Sequence, residues 1–440
     1  MARKMRDSGV EWIGEVPEGW EVHRFKTDVK IFNGCSISDS EKDNYTDPRD
    51  AYPYVSTKDI SLDLSTANYE SGLYTKRADV HFRIAPKGSI LMCIEGGSAG
   101  RKKCLLKQDV SFVNKLACFT SQTCDNRYVY YFLQSPNYEE HFLHNITGLI
   151  GGVNIATLLN MPITIPPLPE QRRIADYLDE KCAAIDGAVD ELKRGIEDCK
   201  AWKKAIIFEA VTGKANVVTA KTAKVAKRQM RDSGIPWIGE IPEGWEVRRL
   251  KDVANIQTGT TPDKKYQNEF YSSESGVPWI KAENLGRMSP ILTTAEYLTP
   301  AGEIQGRVFP EKSVYVCCIA SIGKVGYSEI RASCNQQINA LVFKKPVYWK
   351  FGFYVTTASE EEYLIKARGN VVKILNSTEQ GLIAFPFPSL PEQRAIANYL
   401  DEKCAAIDAL VAEKEKLISD LEAYKKSLIF ELVTGKREVA

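Results

Sequence analysis

The chain has 440 residues, of which 44% are hydrophobic and 26% are charged, and its formal net charge is +1. This composition is ordinary for a soluble globular protein, and the net charge argues neither for nor against a polyanionic partner. No run of about eighteen apolar residues occurs, so we expect no membrane span. The charged N-terminus also lacks the apolar core of a secretory signal.

Eleven cysteines are scattered along the chain without a C-x-x-C pair, and Cys317 and Cys318 are adjacent. This is not the spacing of metal ligands. We therefore predict reduced thiols that mostly pack as small apolar groups, as in a cytoplasmic protein.

Long stretches of the sequence occur twice. "RDSGVEWIGEVPEGWEV" begins at Arg6 and "RDSGIPWIGEIPEGWEV" at Arg231. "YLDEKCAAID" occupies Tyr177–Asp186 and again Tyr399–Asp408, with "LPEQR" before each copy and "VTGK" after it. A repeat this long indicates a tandem duplication of whole domains and not a solenoid.

In chain order we predict six segments. They are an N-terminal arm (1–20), a globular region (21–168), a long helix (169–214), a linker with the repeated arm (215–245), a second globular region (246–390), and a second long helix with the C-terminus (391–440). The globular regions read as mixed α/β (α+β), because short β-prone runs such as Lys87–Ile94 and Lys312–Ile319 precede glycine turns and a helical stretch. Each region is long enough for one modest core.

Both long helices show apolar residues at alternating steps of four and three, a heptad pattern typical of a coiled coil. Each helix of about 43 residues would be about 65 Å long. The alternative is that each helix packs against its own globular region, but two matching seams favour pairing with each other in an antiparallel arrangement. Lys414 breaks the second seam where the first has Leu192. The seam residues are Leu178, Cys182, Ile185, Val189, Leu192, Ile196 and Cys199, and in the second copy Leu400, Cys404, Ile407, Val411, Ile418 and Leu421.

The lysine-rich stretch between Lys214 and Arg231 has few large apolar residues. We interpret it as a flexible connector, with contact to nucleic acid as the alternative.

The chain lacks the common signatures of catalysis. It has no phosphate-binding G-x-x-x-x-G-K-[ST], no H-E-x-x-H, no G-x-S-x-G, no glycine-rich cofactor loop and no Asn-Pro-Pro-aromatic tetrapeptide. His141 and His144 lack a third ligand, so a surface or core role is favoured over a metal site. We therefore expect no catalytic residue, no metal site and no cofactor bound by this chain.

Basic and amide-rich loops occur at equivalent places in the two globular regions. Lysine and arginine suit phosphates and guanine edges, whereas asparagine and glutamine can pair with adenine. A solvated surface is the alternative for any single loop, but the duplicated pattern favours DNA binding. The candidate DNA-binding residues are Lys58, Arg101, Lys102, Lys103, Asn114 and Lys115 in the first region, and Lys281, Asn284, Lys324, Asn335, Gln336, Gln337, Asn339, Arg368 and Lys373 in the second.

Two diverged domains alternating with two nearly identical long helices resemble the specificity (S) subunit of type I restriction–modification systems. The motifs that carry the resemblance are "WIGEVPEGWEV", "PLPEQRRIADYLDEKCAAID" and "FEAVTGK". They stand at Trp12–Val22, Pro167–Asp186 and Phe208–Lys214, and recur at Trp237–Val247, Leu390–Asp408 and Phe430–Lys436.

The resemblance implies a non-catalytic subunit with a role in phage defence, whose two target recognition domains each read one half of a split double-stranded DNA site. It implies that the helices pair as an antiparallel coiled coil, set the unread spacer and dock two methyltransferase subunits. Motor-nuclease (restriction) subunits would join through those. S-adenosylmethionine, ATP and magnesium would bind to the partners, which are expected to methylate adenine. Lys414 departs from a fully symmetric coil.

Two other functions compete with this one. A self-sufficient fused restriction–methylation enzyme would need the cofactor loop that the sequence lacks. A scaffold that binds no DNA would leave the duplicated basic and amide-rich loops without a purpose.

Overall fold

The computed structural model describes residues 3–62, 66–148, 151–215, 217, 228–369 and 372–439. These residues form two compact units, Met1–Leu192 with Lys416–Ala440, and Lys193–Glu415. The predicted connector lies mainly at 216 and 218–227, outside the described residues. No helix within the described ranges is long and apolar enough to cross a membrane.

The first half of the chain contains short strands followed by helices. The strands are β1 (Met5–Asp7), β2 (Glu15–Pro17), β3 (Glu21–Arg24), β4 (Lys30–Asn33), β5 (Ala51–Val55), β6 (Tyr74–Lys76), β7 (Ile84–Ala85), β8 (Ile90–Cys93), β9 (Lys103–Leu105), β10 (Val110–Phe112), β11 (Leu116–Thr120) and β12 (Pro162–Ile165). The helices are α1 (Phe25–Asp28), α2 (Asn126–Gln134), α3 (Pro136–His144), α4 (Ile155–Asn160) and α5 (Leu168–Val211).

Two four-stranded sheets form the core of the first unit. One has the order β4-β11-β8-β9 and is antiparallel, and the other has the order β6-β5-β10-β7, with β10 parallel to β5. Strand β8 is buried along its whole length, which explains why its sequence is continuously apolar rather than alternating. The short pair β3–β12 then leads directly into α5.

The second half of the chain repeats this order of elements with three additional short ones, α7, β17 and α8, whose bounds follow. Its strands are β13 (Met230–Asp232), β14 (Glu240–Pro242), β15 (Glu246–Arg249), β16 (Ala254–Thr258), β17 (Tyr271–Ser272), β18 (Val277–Ile280), β19 (Tyr297–Leu298), β20 (Val308–Phe309), β21 (Ser313–Cys317), β22 (Val325–Ser328), β23 (Ala332–Cys334), β24 (Ile338–Phe343) and β25 (Ala384–Phe387). Its helices are α6 (Leu250–Val253), α7 (Gln267–Phe270), α8 (Pro300–Gln305), α9 (Trp349–Ala358), α10 (Glu360–Lys366), α11 (Ser377–Gly381) and α12 (Leu390–Val433).

The sheets of the second unit match those of the first. The order β16-β24-β21-β22 corresponds to β4-β11-β8-β9, and the pair β15–β25 corresponds to β3–β12. The five-stranded sheet β17-β19-β18-β23-β20 again contains one parallel pair, β18 with β23. The predicted mixed α/β architecture and its duplication are therefore confirmed.

Within each unit, part of α5 packs antiparallel to part of α12. In the first unit, the Nζ of Lys425 lies 2.7 Å from the Asp186 carboxylate, and Thr164, four residues before α5 begins, donates a hydrogen bond to the Val433 carbonyl at the end of α12 (2.6 Å). In the second unit, the Nζ of Lys203 lies 2.6 Å from Asp408. The predicted antiparallel pairing is therefore present in both units.

Burial along the two helices follows the heptad seam. Leu178, Cys182, Ile185, Val189, Ile196, Cys199, Leu400, Cys404 and Ile407 are buried, and Leu192, Val411, Ile418 and Leu421 are half-buried. Lys414 lies against Gly195, since a Cβ added to that glycine would stand 3.2 Å from the Lys414 Nζ. The break in the second seam is therefore accommodated by the absence of a side chain on the facing helix.

Each repeated arm packs against the end of a long helix. Gly435 ends α12 with φ +72°, and a Cβ there would lie 2.4 Å from Pro17. Gly213 follows α5 with φ +76°, and its Cβ would lie 2.5 Å from Pro242. The glycine of each "VTGK" therefore adopts a left-handed conformation and also lets the arm approach closely.

The cysteines behave as small apolar groups. All eleven lie in the described ranges without a disulfide, and all except Cys35 are buried. Burial raises the pKa of the Cys104 and Cys118 thiols to about 12, so these two are not reactive thiolates.

Candidate nucleic-acid interface

Four loops come together in the first unit, and we call them the first loop cluster (residues 56–59, 95–103, 113–115 and 147–152, with 149 and 150 outside the description). The Lys102 Nζ donates to the Thr57 carbonyl (2.9 Å). The Ile94 amide donates to the Lys115 carbonyl (3.0 Å), and the Val153 amide donates to the Ile94 carbonyl (2.9 Å). These bonds tie the four loops to one another.

The second unit contains an equivalent second loop cluster (residues 281–284, 319–324, 335–337 and 368–374, with 370 and 371 outside the description). The Cys318 amide donates to the Gln337 carbonyl (2.7 Å), and the Leu375 amide donates to the Cys318 carbonyl (2.9 Å). These bonds correspond one for one to those around Ile94. The backbone framework is therefore duplicated, whereas the side chains differ.

Most of the predicted basic residues of the first region lie on its loop cluster. Lys58, Arg101, Asn114 and Lys115 are exposed, and Lys102 is half-buried. The Lys115 ammonium lies 3.7 Å from the Glu95 carboxylate, so the cluster presents one acidic group among several cations.

Lys103 does not fit the prediction of a DNA contact. Its side chain is only 2% exposed, and its Nζ donates to the Leu133 carbonyl (2.7 Å) and to Glu139 (2.5 Å). Burial lowers the pKa of this lysine. The reason is that β9 is covered on both faces at this point: Lys103 and Cys104 point to opposite faces, and both are buried.

In the second loop cluster, Lys324, Gln336, Arg368 and Lys373 are exposed. Arg368 forms an ion pair with Glu379 at 2.9 Å. Lys281, Asn284, Asn335 and Gln337 are half-buried and make local bonds, such as the Asn284 side-chain oxygen that accepts from the Lys281 amide (2.8 Å). Lys281 also pairs with Glu296, and this hydrogen bond lowers the pKa of the Glu296 carboxyl.

Asn339 is the second predicted DNA-binding residue that the structure contradicts. It is 1% exposed, accepts a hydrogen bond from Thr258 (2.8 Å) and donates one to Gln380 (2.7 Å). Its position in the central strand β24 places it inside the unit.

Four further polar residues occupy matching places in the two units and were not predicted from the sequence. Ser36 donates a hydrogen bond to the Asn114 side-chain oxygen (2.7 Å), and Thr261 donates one to the Gln336 side-chain oxygen. Exposed arginines contact the preceding strand ends: Arg83 donates to the Asn33 carbonyl (3.4 Å), and Arg307 donates to the Thr258 carbonyl (2.5 Å). Only an alignment of the two diverged regions by their strands could have indicated them.

The loop 147–152 was also missed in the first region, although its counterpart supplies Arg368 and Lys373. It lines an open cavity of about 610 Å³ together with Asn33, Glu95 and Asn114. The glycines of "TGLIGG" were the available signal.

The chemistry that these clusters offer is hydrogen bonding and positive charge. No group of three or more His, Cys, Asp or Glu side chains in the described ranges is arranged to hold a metal ion. His141 stacks against Trp12 with ring centroids 5.1 Å apart, and burial lowers its pKa. Such surfaces suit the recognition of a nucleic acid through its base edges and its phosphates.

The comparisons with known proteins agree with this geometry. The family model described as "Type I restriction modification DNA specificity domain" matches residues 17–190 and 242–419. The chain is 27% identical to the type I restriction enzyme MjaVIII specificity subunit of Methanocaldococcus jannaschii, over 96% of this chain and 94% of that protein. It is 35% identical to the HindI specificity subunit of Haemophilus influenzae over 28% of this chain and 27% of that protein.

Among solved structures, a chain from a study of complex assembly and conformational transition of the type I R-M system matches with a TM-score of 0.73 at 16% identity. The match covers 96% of this chain and 99% of the other. The HsdS subunit from Thermoanaerobacter tengcongensis matches with a TM-score of 0.52 at 16% identity, covering 96% and 98%. At these identities the two structures bear on the fold alone.

Proposed function

Because the chain belongs to the family of type I restriction–modification DNA specificity subunits, we propose that its two specificity domains each read one half of a bipartite double-stranded DNA site. Proteins of this family recognise DNA and carry out no catalytic step themselves. The first loop cluster would read one half-site and the second loop cluster the other.

One observation carries this proposal: the two loop clusters share their backbone hydrogen bonds but not their side chains. An identical framework places loops in the same way against a DNA groove, while different side chains read different bases. Lys58 and Arg101 in the first cluster and Lys324 and Lys373 in the second are exposed cations suited to phosphates. The half-sites can then differ, so that the whole site need not be a palindrome.

We further propose that the repeated surfaces dock two methyltransferase subunits. A duplicated scaffold offers two like surfaces to two like partners. Trp202 is 55% exposed on α5, and Tyr424, the residue at the same place in the repeat, is 48% exposed on α12. Exposed aromatic side chains are typical of the centres of protein interfaces, so these two residues support docking on the long helices.

The remaining partners and cofactors follow from the same proposal. Motor-nuclease subunits would join through the methyltransferases in the cytoplasm. S-adenosylmethionine, ATP and magnesium would bind to those partners, which would methylate adenine after flipping it out of the duplex.

The long helices would set the unread spacer of the site. Each has 44 residues, which corresponds to about 66 Å at 1.5 Å per residue, or nearly two turns of DNA. A continuous helix has a fixed length, so the number of base pairs between the two half-sites would also be fixed.

The test is modified-base sequencing of the genome of cells that express this chain with its methyltransferase subunit. We expect methylated adenines in one bipartite motif with a gap of constant length, and no such motif when this chain is omitted. Methylation at a continuous motif, at cytosine alone, or without sequence preference would contradict the proposal.

A further inference from the structure

A hydroxyl-bearing side chain holds an exposed amide at the same place in both loop clusters. In the first, the Ser36 Oγ donates to the Asn114 Oδ1 at 2.7 Å. In the second, the Thr261 Oγ1 donates to the Gln336 Oε1. Asn114 and Gln336 are both exposed. We call these two contacts the hydroxyl–amide pairs.

The positions are equivalent by backbone bonding and not only by sequence order. Cys35, just before Ser36, donates its amide to the Phe112 carbonyl (2.9 Å), and Thr260, just before Thr261, donates its amide to the Cys334 carbonyl (3.0 Å). The sequences around these residues have otherwise diverged. The same pairing made with different residues in each unit indicates that the arrangement itself is the retained feature.

The backbone on both sides of each amide is fixed. Val113 donates its amide to the Val55 carbonyl (3.0 Å), and the Lys115 carbonyl accepts from Ile94 (3.0 Å), so Asn114 stands between two anchored residues.

The Gln336 position is anchored in the same way. Asn335 donates its amide to Ile280 (3.1 Å), and the Gln337 carbonyl accepts from Cys318 (2.7 Å). With the backbone anchored and the side-chain oxygen held by the hydroxyl, each amide loses little rotamer entropy when it binds a ligand.

The amide retains its full capacity for a bidentate contact. A carbonyl oxygen has two lone pairs, so that of Asn114 can accept from Ser36 and also from a second donor, while the amide NH₂ donates. An acceptor next to a donor is the pattern that matches the N6–H₂ and N7 of adenine in the major groove.

We infer that Asn114 in the first unit and Gln336 in the second each read an adenine of an A·T pair, one in each half-site, with Ser36 and Thr261 as positioning residues. This inference rests on the proposed function. It assigns base reading to the amides, whereas the exposed cations around them contact phosphates.

The test uses cells that express the full chain together with its methyltransferase subunit, and determines the methylated motif by modified-base sequencing. Asn114→Ala should relax one position in one half of the motif, with discrimination at that position reduced by about tenfold or more. Gln336→Ala should relax one position in the other half. Gln108→Ala, which removes an exposed amide outside the first loop cluster, should leave the motif unchanged.

The most decisive outcome is which base pair of the motif loses its discrimination in the Asn114→Ala or Gln336→Ala variant. It must be an A·T pair in the motif of the unaltered chain; relaxation at a G·C pair, or an unchanged motif, overturns the inference. Asn114→Asp should shift the preference at that position towards cytosine, whose N4 amino group donates to a carboxylate.

If Asn114→Ala abolishes methylation altogether, the Asn114→Gln variant tests whether residue 114 reads adenine, because glutamine is the residue that the second unit has at the equivalent place. Retention of the adenine supports the inference, and loss of all methylation with Asn114→Gln as well overturns it.

The positioning role of Ser36 has its own readout. Ser36→Ala should relax the same position as Asn114→Ala but to a smaller extent, and Ser36→Thr should restore it, since threonine serves in the second unit. Relaxation elsewhere in the motif, or a Ser36→Thr variant as relaxed as Ser36→Ala, would count against this role. If the unaltered chain directs no bipartite methylation, the proposed function fails; if it does and the variants keep its motif, only the amide assignment fails.

Discussion

The Lys425 ammonium lies 2.7 Å from the Asp186 carboxylate, and 222 residues earlier Lys203 makes the equivalent bond to Asp408. The Asp186 and Asp408 side chains are at least half exposed, so each ion pair contributes at most about 1 kcal/mol. The stability of the paired helices must therefore come mainly from the apolar seam, whereas the ion pairs specify which residues face each other.

Replacement of a seam residue by a charge should destabilise the protein far more than the same change one turn away. Ile407→Asp buries a carboxylate at a position that is 2% exposed, and we expect a loss of about 3 kcal/mol or more. Leu410→Asp, at a position that is 40% exposed on the same helix, should cost less than about 1 kcal/mol. Urea unfolding followed by circular dichroism measures both; equal effects would exclude the seam as the source of stability.

The glycine that ends α12 should not tolerate a side chain. Gly435→Ala combines a left-handed φ with a Cβ placed 2.4 Å from Pro17. Gly9 has a similar φ of +70° but nothing within 4 Å of its added Cβ, so Gly9→Ala isolates the backbone cost of about 1 kcal/mol. We expect Gly435→Ala to lower the melting temperature clearly more than Gly9→Ala. Equal shifts would show that the arm is not packed against the helix end.

Substitution of two neighbouring basic residues should have different effects. One should change DNA binding and the other the stability of the fold. Arg101→Ala should weaken DNA binding of the complex with its methyltransferase for all sequences and reduce the salt slope by about 1. Lys103→Met should leave the salt slope unchanged but lower the stability by about 1–3 kcal/mol, because the Leu133 carbonyl loses its partner. A changed salt slope for Lys103→Met at unchanged stability would instead place Lys103 at the DNA interface.

His23 should make the stability of the protein depend on pH near neutrality. Its ring lies 2.7 Å from Asp28 and from Glu21, and chiefly the hydrogen bond to Asp28 raises its pKa above 6.5. The protonated ring therefore stabilises the fold below pH 6.5, and this contribution is lost as the pH rises through the raised pKa. Because the site is partly exposed, the effect should stay below about 1 kcal/mol.

The measurement compares unfolding free energies of the unaltered chain and His23→Gln between about pH 6 and 8. The free energy of unfolding of the unaltered chain should exceed that of His23→Gln by less as the pH rises. At the same place in the repeat stands Arg248, so the difference made by Arg248→Gln should not vary over this range. If this difference in free energy of unfolding grew with pH, the protonated form of His23 would not be the stabilising one.

The parts of the fold that were predictable depend on local patterns. The long helices and their pairing follow from a periodicity that is visible within about twenty residues. Both helices begin one residue before the predicted position, and α5 ends three residues before the predicted end at 214. Lys103 and Asn339 were assigned wrongly because their strands are covered on both faces at these positions, and a basic or amide-rich run does not reveal such burial.

The hydroxyl–amide pairs were unpredictable for a different reason. Ser36 and Asn114 are separated by 78 positions in the chain, and Thr261 and Gln336 by 75. Only the folded sheets bring them together, and the two pairs share neither residue type. No motif search on a single sequence detects such a contact.

The contact of Lys414 with Gly195 bears on inheritance. One helix has no side chain where the facing helix carries a long one, so the two copies differ at this contact and fit each other as complements. A crossover could replace the segment around Lys414 by one with a leucine at that position. The two helix surfaces then brought together would not have evolved as a pair. We therefore expect the helix segments around Gly195 and Lys414 to pass to descendants as a linked pair.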